Sequence, residues 1–290
     1  MSYETEYANI TKPTNVISAG ISAALVQAVV VVPHVHAEPL PVGTMVKLAR
    51  KAGYLTAASL SESSAWTYSA ENTDELKETS VTVTAAKTAA MCKVTVEAQD
   101  FTSINLAAVA AEEGRAIARI LDDNVLTLFS ALNGGTAVTS SSTLTVADIM
   151  QAAYLVRANL ANRNGGNMVG IFDYKGVFEI QKELIQSGGA ALANRELITL
   201  LTGLQQLNGY VGSVPGVDIF ATDGLTTGSS DDYAAVFNPE IAFFGMYSPA
   251  PVVKMIDIVS GGFWTEIGSY VYSAVAEWND GAGICVKSDT

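Results

Sequence analysis

Residues 81–96 alternate between apolar and polar side chains, which predicts an extended β segment. Val81 and Val83 alternate with threonines, and Val94 and Val96 resume the alternation beyond Lys87. Residues at every second position of a strand share a face, so one face of this segment is apolar and the other polar.

After an acidic turn the apolar period becomes helical, which predicts one helix from Ser103 to Leu132. Its length would be roughly 45 Å at 1.5 Å per residue, which is long for a compact domain and suits a strut. The sequence Asn133-Gly134-Gly135 is typical of a helix end. The apolar stripe consists of residues three or four positions apart: Leu106, Ala110, Ile117, Ile120, Leu121, Leu128 and Leu132.

The charged residues of this helix are predicted to lie mainly opposite the apolar stripe: Glu112, Glu113, Arg115, Arg119, Asp122 and Asp123. Glu112 and Arg115, like Arg119 and Asp123, are spaced for ion pairs along a helix. The adjacent pair Asp122-Asp123 is therefore interpreted as a solvated polar face that serves solubility.

This order, an extended strand pair followed directly by a long helix, resembles the major capsid proteins of tailed double-stranded DNA bacteriophages. In that family, which has the Hong Kong 97-like fold, a protruding β-hairpin called the extended loop precedes a "spine" helix. The resemblance rests on K-T-A-A-x-x-K-V-T-x-E-A-x-D at Lys87–Asp100 and on the helical sequence Ala111–Leu126. It implies an α+β fold with an N-terminal arm, an extended loop, a spine helix, and peripheral and axial lobes.

The resemblance covers the whole chain and implies five regions. These are an N-terminal arm and lead-in at 1–40, an extended loop with flanking strands at 41–100, and the spine helix of the peripheral lobe at 101–144. An axial lobe at 145–238 and a peripheral-lobe β-sheet at 239–290 complete the chain. The beginning of the arm is expected to lie along a neighbouring subunit.

Within the extended loop, Ser61–Glu78 is rich in serine, glutamate and threonine. We interpret it as a polar hairpin that lies over a neighbour, with Trp66 and Tyr68 as aromatic anchors. Lys77 is a third predicted contact between subunits. Some members of the family join a loop lysine to an asparagine of a neighbouring subunit, which makes Asn238 or Asn279 the candidate acceptor of a Lys77 crosslink.

The second half alternates helices and short strands, as a mixed α/β lobe would. Thr145 and Asp148 form a capping box, and Asp173 and Asn194 can each cap a further helix. Late strands are predicted at Tyr233–Phe237, Val252–Ile258, Tyr270–Glu277 and Gly283–Val286. The last three are expected to form the sheet on which the spine helix rests.

Composition adds two constraints. Apolar residues make up 49% of the chain and charged residues only 16%, which favours a folded chain that buries apolar surface against partners. A shell subunit and an obligate oligomeric enzyme both fit. The net charge of −13 argues against direct nucleic-acid binding, which requires clustered cations. Enclosing double-stranded DNA without sequence-specific contacts is what the family resemblance implies.

Two further features indicate where in the cell the chain is expected to reside. Cys92 and Cys285 are interpreted as two unpaired, buried thiols. Residues 16–32 are largely apolar but short for a bilayer span, and they read as an amphipathic helix that runs into a strand. We therefore expect a soluble chain with no membrane partner, made in the host bacterial cytoplasm.

The main alternative chemistry lies in His34 and His36, which end a β-branched run. Two imidazoles that point the same way from a strand can bind one zinc ion, as in hydrolases of the amidohydrolase type. These are the only two histidines, so the remaining ligands would have to be carboxylates. Nucleophile, phosphate-loop and C-x-x-C motifs are absent from the sequence, and no cofactor is predicted.

The sequence thus predicts a structural protein rather than an enzyme: a major capsid protein that forms pentamers and hexamers of an icosahedral virion shell. The expected partners are further copies of itself, a separate scaffolding protein, a portal and decoration proteins. An encapsulin-like compartment subunit, a tail-tube or other virion component, and an oligomeric zinc-dependent hydrolase using His34 and His36 are the alternatives.

Overall fold

A computed structural model describes residues 13–40, 46–51, 79–95, 106–140, 143–160, 166–186, 209–225, 231–248, 250–258 and 264–289. The α-helices of these residues are α1 (Pro13–Ala28), α2 (Leu106–Leu126), α3 (Val146–Asn159) and α4 (Tyr174–Gln186). Short 3₁₀ helices occur at Val32–His34, Phe129–Gly135 and Asp280–Ala282.

The strands divide into two large sheets and one pair. Those of the first half are β1 (His36–Pro39), β2 (Val46–Lys51), β3 (Thr79–Thr84), β4 (Ala86–Thr95), β5 (Ala137–Ser140) and β6 (Met168–Asp173). Those of the second half are β7 (Tyr210–Val214), β8 (Val217–Thr222), β9 (Asp231–Phe237), β10 (Phe243–Tyr247), β11 (Val252–Ile258), β12 (Trp264–Glu277) and β13 (Gly283–Asp289).

A five-stranded sheet is built around the long strand β12. One edge of β12 pairs antiparallel with β4, and the other edge pairs with β11 and then β10, while β1 adds parallel to β10. The helices α1 and α2 cover one face of this sheet. We call that face the inner face and the opposite one the outer face.

Alternation along the strands decides which side chains meet the helices. Val94 of β4 and Ile267 of β12 are buried and contact Ile21 of α1 and Ala110 of α2. The intervening position Met91 is 68% exposed, because it points to the outer face. The alternation predicted for residues 81–96 is therefore present within β3 and within β4, but the strand is interrupted at Ala85 and the two strands belong to different sheets.

The helices α1 and α2 approach each other closely at Gly114. A Cβ atom at this position would lie 2.7 Å from the Ile21 carbonyl oxygen and 2.9 Å from the Ala24 Cβ. Glycine costs about 1 kcal/mol relative to alanine inside a helix, so its presence here reflects the space that the backbone of α1 occupies.

The second, six-stranded sheet has the order β5-β13-β9-β6-β8-β7. Five of the six residues of β6 are buried, as its continuous apolar sequence Met168–Phe172 predicts. The α3 capping box of Thr145 and Asp148 is present, and Asp173 accepts hydrogen bonds from the first backbone N–H groups of α4. The largest apolar core of the described chain lies around this sheet.

The strands β2 and β3 form an antiparallel pair in which Lys51 faces Thr79. Residues 52–78, which include the predicted hairpin Ser61–Glu78, lie outside the described residues, as does the predicted helix after Asn194. The described part of the chain therefore contains the two strands that lead into and out of the predicted extended loop.

Three sequence predictions need correction. The helix predicted to reach Leu132 ends at Leu126, because Leu128 bonds to the Val125 carbonyl and the chain tightens into a 3₁₀ turn. The buried Phe129 then packs against other aromatic rings of the core. Local helical spacing did not predict that change of direction.

The second correction concerns the strand predicted after α1: residues 29–31 are not a strand, and Val32–His34 is a 3₁₀ helix. The third concerns β13, which was expected in the sheet beneath the long helix. It pairs with β9 and β5 of the six-stranded sheet, because its residues Ile284, Cys285 and Val286 are all buried there. The lobe boundaries themselves stay a prediction.

Candidate assembly surfaces

The structure places the two histidines against different aromatic side chains. The ring centroid of His34 lies 4.1 Å from that of Phe220, whereas His36 lies 5.1 Å from Trp278 and 6.0 Å from Phe244. His34 belongs to a 3₁₀ helix rather than a strand, so the alternation that would aim both imidazoles at one ion does not hold. Burial lowers the pKa of His34 to about 4, which leaves it neutral at pH 7.

Metal ligation finds no further support among the described residues, since no three His, Cys, Asp or Glu side chains there cluster closely enough to hold an ion. No disulfide joins Cys92 and Cys285, and Cys285 is buried as predicted, whereas Cys92 is only half-buried. None of the described helices combines the length and the apolar character that crossing a bilayer requires.

Asp122 of α2 is a buried acid that accepts three backbone hydrogen bonds. It is only 6% exposed, and its carboxylate accepts hydrogen bonds from the backbone N–H groups of Val30 (2.7 Å), Val31 (3.1 Å) and Val32 (3.0 Å). These donors follow the end of α1, where the backbone no longer has helical partners. One side chain of α2 therefore fixes the turn that leads from α1 towards the five-stranded sheet.

Burial raises the pKa of Asp122, and the three backbone N–H groups oppose that rise without cancelling it. The neighbouring Tyr247 has a raised pKa for the same reason, first because it is buried and second because Asp122 is close. Burial likewise raises the pKa of Glu113, whose carboxylate accepts a 2.6 Å hydrogen bond from the Ser269 hydroxyl of β12. Both acids tie α2 to the elements beneath it.

The prediction that Glu113 and Asp122 lie on the solvated side of the helix is wrong for both, since both are buried. Glu113 is 4% exposed and lies three residues after Ala110 and four before Ile117, both of which are fully buried. That spacing places Glu113 on the apolar stripe, so the signal was present in the sequence. The ion pair between Glu112 and Arg115, in contrast, forms on the exposed side as predicted.

An apolar cavity of about 230 Å³ opens where α1, α2 and the five-stranded sheet meet. Leu25 and Val26 of α1, Leu121 of α2 and Val271 of β12 line its walls. Val26 is 69% exposed at this site.

The helices α3 and α4 also expose large apolar side chains. Tyr174 and Phe178 are one helical turn apart on α4 and are 64% and 63% exposed. Met150 and Tyr154 have the same spacing on α3 and are 39% and 68% exposed. Such clusters on a folded chain are typical of surfaces that meet a partner.

The outer face of the five-stranded sheet carries cations and aromatic rings. The Lys87 ammonium lies 4.1 Å from the ring centroid of Tyr270, and this ring in turn lies 5.8 Å from that of Tyr272. Lys93 forms a 2.9 Å ion pair with Glu266. This face is more cationic than the chain as a whole.

Trp66, Tyr68 and Lys77 lie outside the described residues, so their role stays a prediction. Asn238 and Asn279, the candidate acceptors of a Lys77 crosslink, are 5% and 7% exposed. Neither amide is offered to a neighbouring chain in this conformation.

Comparison with known proteins gave matches in structure but not in sequence. No protein-family model matches the chain, and no curated protein matches it by sequence. A structure from Mycobacterium phage Che8 is similar with 15% identity and a TM-score of 0.61, covering 84% of each chain. The capsid of cyanophage P-SCSP1u is similar with 11% identity and a TM-score of 0.62, covering 91% of this chain and 89% of that one.

A holo-encapsulin complex from Synechococcus elongatus is also similar, with 11% identity and a TM-score of 0.60 over 89% of this chain and 87% of that one. Identities this low establish architecture alone. The match extends over most of each chain, however. The chain therefore has the α+β fold of phage capsid proteins, the Hong Kong 97-like fold.

Proposed function

We propose that this chain is a structural protein, the major capsid protein of a tailed double-stranded DNA phage. It assembles as pentamers and hexamers into an icosahedral shell and is a component of the virion. The observation that carries the proposal is the correspondence, over most of both chains, with phage capsid subunits.

The molecule has the parts that such a role needs. Both sheets contribute to buried apolar cores, and α2 is tied to the five-stranded sheet by Glu113 and to the turn after α1 by Asp122. The β2–β3 pair supplies the base of an arm that can adjust between five-fold and six-fold neighbours. Exposed aromatic side chains on α4 and the cavity beside α1 supply further surfaces for association.

DNA is enclosed rather than bound in this proposal. A chain of net charge −13 repels a polyanion unless its cations are gathered on one surface, and sequence-specific contact is not part of the function. With this function we infer assembly in the host bacterial cytoplasm. The partners that we infer are a separate scaffolding protein, a portal and decoration proteins.

An encapsulin-like compartment is the second candidate. It is favoured by the similarity to the encapsulin complex and to a virus-like particle from Pyrococcus furiosus, which covers 95% of this chain and 99% of that one at 9% identity. Such a compartment would close its shell without a portal or a scaffolding protein. The two candidates therefore differ in what they need for closure.

Expression of the chain alone and together with its genomic neighbours, followed by sedimentation and electron microscopy, tests both. Closed shells that form only with a scaffolding partner support the capsid proposal, and closed shells from the chain alone support the compartment. A stable dimer or tetramer with stoichiometric zinc would contradict both and restore the hydrolase alternative.

A further inference from the structure

Tyr247, the last residue of β10, lines the apolar cavity between α1, α2 and the five-stranded sheet. Its hydroxyl oxygen is buried and has no hydrogen-bond partner among the described residues. Most buried side-chain polar groups in folded proteins have a partner. An isolated hydroxyl beside a cavity of about 230 Å³ therefore points to a group that the cavity can receive.

Gly245 gives the Tyr247 ring its position. The two residues lie two positions apart on β10 and therefore share one face of the sheet. A Cβ atom at Gly245 would lie 2.6 Å from the Tyr247 Cε2 atom and 3.0 Å from the hydroxyl oxygen. The ring thus lies along its own strand, over a residue with no side chain, and packs against the cluster of Ile117, Leu121 and Val271.

Two serine hydroxyl groups at the cavity already have acceptors within the subunit. The Ser22 hydroxyl donates to the Ser18 carbonyl oxygen, one turn earlier on α1, at 2.9 Å. The Ser248 hydroxyl donates to the Ala250 carbonyl oxygen at 3.0 Å. The protons of both serines are therefore used, which distinguishes them from the Tyr247 hydroxyl.

The chemistry of the cavity limits what it can hold. No charged side chain of the described residues lines it, and its walls include Leu25, Leu121 and Val271. Burial first and the nearby Asp122 second raise the pKa of Tyr247, so its hydroxyl keeps the proton that it can donate. An anion would meet the same Asp122 without a cation to balance it, so a neutral molecule is favoured.

We propose that this cavity binds a small neutral molecule, a substituted ring with one carbonyl oxygen that accepts a hydrogen bond from the Tyr247 hydroxyl. The ring packs against Leu25, Leu121 and Val271, and Val26, which is 69% exposed, lies where the molecule enters. An apolar cavity of about 150 Å³ accommodates benzene, so the larger volume here has room for a substituted ring. The site lies within one subunit and does not depend on the function proposed above.

The first test compares acetophenone and ethylbenzene, two molecules of similar shape of which only the ketone has an acceptor. Both should bind saturably to the unchanged subunit, as ligand-detected NMR or isothermal calorimetry measures. Tyr247→Phe should weaken acetophenone binding about tenfold, because the ketone loses its donor, and should change ethylbenzene binding by less than about twofold. Unchanged binding of acetophenone, equal weakening of both molecules, or no saturable binding of either would overturn the proposal.

Filling the cavity is the second test. Ser22→Phe adds a ring at a half-buried position of α1 that lines the cavity, so both molecules should bind about tenfold more weakly or worse. Ala23→Phe is the matched control, because the neighbouring Ala23 is exposed and is not part of the cavity wall. This control should bind both molecules as the unchanged subunit does. A folded Ser22→Phe subunit with unchanged binding would place the molecules elsewhere and contradict the proposal.

Stability of the subunit is the third test. Tyr247→Phe removes a hydroxyl that has no partner, so without any added molecule the variant should unfold at the same or a higher denaturant concentration. Acetophenone should raise the midpoint of thermal unfolding more in the unchanged subunit than in Tyr247→Phe. If loss of the hydroxyl clearly destabilises the subunit, the group has a partner within the chain and the proposal is wrong.

Discussion

At the scale of single residues, the buried acids of α2 hold this helix against the turn after α1 and against β12. Asp122 is 6% exposed, and its carboxylate accepts hydrogen bonds from three backbone N–H groups that lie outside the α-helices and strands. A buried donor without an acceptor costs about 1–3 kcal/mol, so three donors on one carboxylate make this a sensitive position.

We expect Asp122→Ala to lower the free energy of unfolding by about 3 kcal/mol or more. Asp122→Asn should cost about half as much, because its amide oxygen can still accept from Val31 and Val32 while its NH₂ group meets the Val30 N–H. Urea unfolding of the subunit measures both. Equal losses in the two variants would contradict this account, because the acceptor oxygen that asparagine retains would then contribute nothing.

His34 gives a prediction about pH. Burial lowers its pKa to about 4 in the folded chain, against 6.5 for an exposed imidazole. Between these values the unfolded chain binds a proton that the folded chain does not, so stability should fall as the pH is lowered from 6.5 towards 4.

Replacing the imidazole should flatten this part of the profile, and His34→Gln is the variant to compare with the unchanged chain. Thermal unfolding at half-unit steps of pH measures the difference. His36→Gln is the matched control, since His36 is exposed. A profile of His34→Gln that remains as steep as that of the unchanged chain would contradict the assignment.

At the scale of elements, the contact between α1 and α2 depends on one glycine. The Gly114 backbone lies so close to α1 that a methyl group would overlap with the Ile21 carbonyl and the Ala24 side chain. The helical period predicts both helices, but it does not predict how near they come.

Gly114→Ala should destabilise the subunit by roughly 1–2 kcal/mol, although alanine is the better helix former. The exposed Ala116→Gly on the same helix is the control and should cost about 1 kcal/mol through propensity alone. Chemical unfolding of both variants gives the comparison. A stabilised Gly114→Ala would mean that the two helices are further apart than described.

The hairpin is the second element with a testable role. Deleting Ser61–Glu78 leaves the pairing of β2 with β3 and both large sheets untouched. The subunit should therefore remain folded and soluble but fail to close a shell, as sedimentation and electron microscopy would show. Normal particles from the deletion would refute the role predicted for this segment.

At the scale of the whole molecule, two sheets share one chain that crosses between them several times. The chain leaves α2 for β5 of the six-stranded sheet, returns for β10 to β12, and ends as β13 in the six-stranded sheet again. The two sheets are thus linked at several points along the chain.

Covalent joining of subunits is not expected from this arrangement. Both candidate acceptors of a Lys77 crosslink, Asn238 and Asn279, are buried within the subunit. Assembled particles boiled in detergent should therefore give one subunit band on a denaturing gel. A ladder of multimers that persists in reducing detergent would show that an asparagine becomes accessible on assembly.

Much of this architecture is determined by the sequence itself. Alternation predicts β4, helical spacing predicts most of α2, and the side chains of Thr145, Asp148 and Asp173 predict where α3 and α4 begin. These signals are local: each depends on residues within a few positions, whose spacing alone decides the favoured backbone. The order of elements was enough to indicate the Hong Kong 97-like fold.

Only the tertiary structure decided the features that depend on residues distant in the chain. The acceptor Asp122 meets its donors about ninety residues away, β13 pairs with β9 and β5 rather than with β12, and Phe129 turns the chain into the aromatic core. A linear pattern records which face a residue shares with its neighbours in sequence, but not what the rest of the chain places against that face.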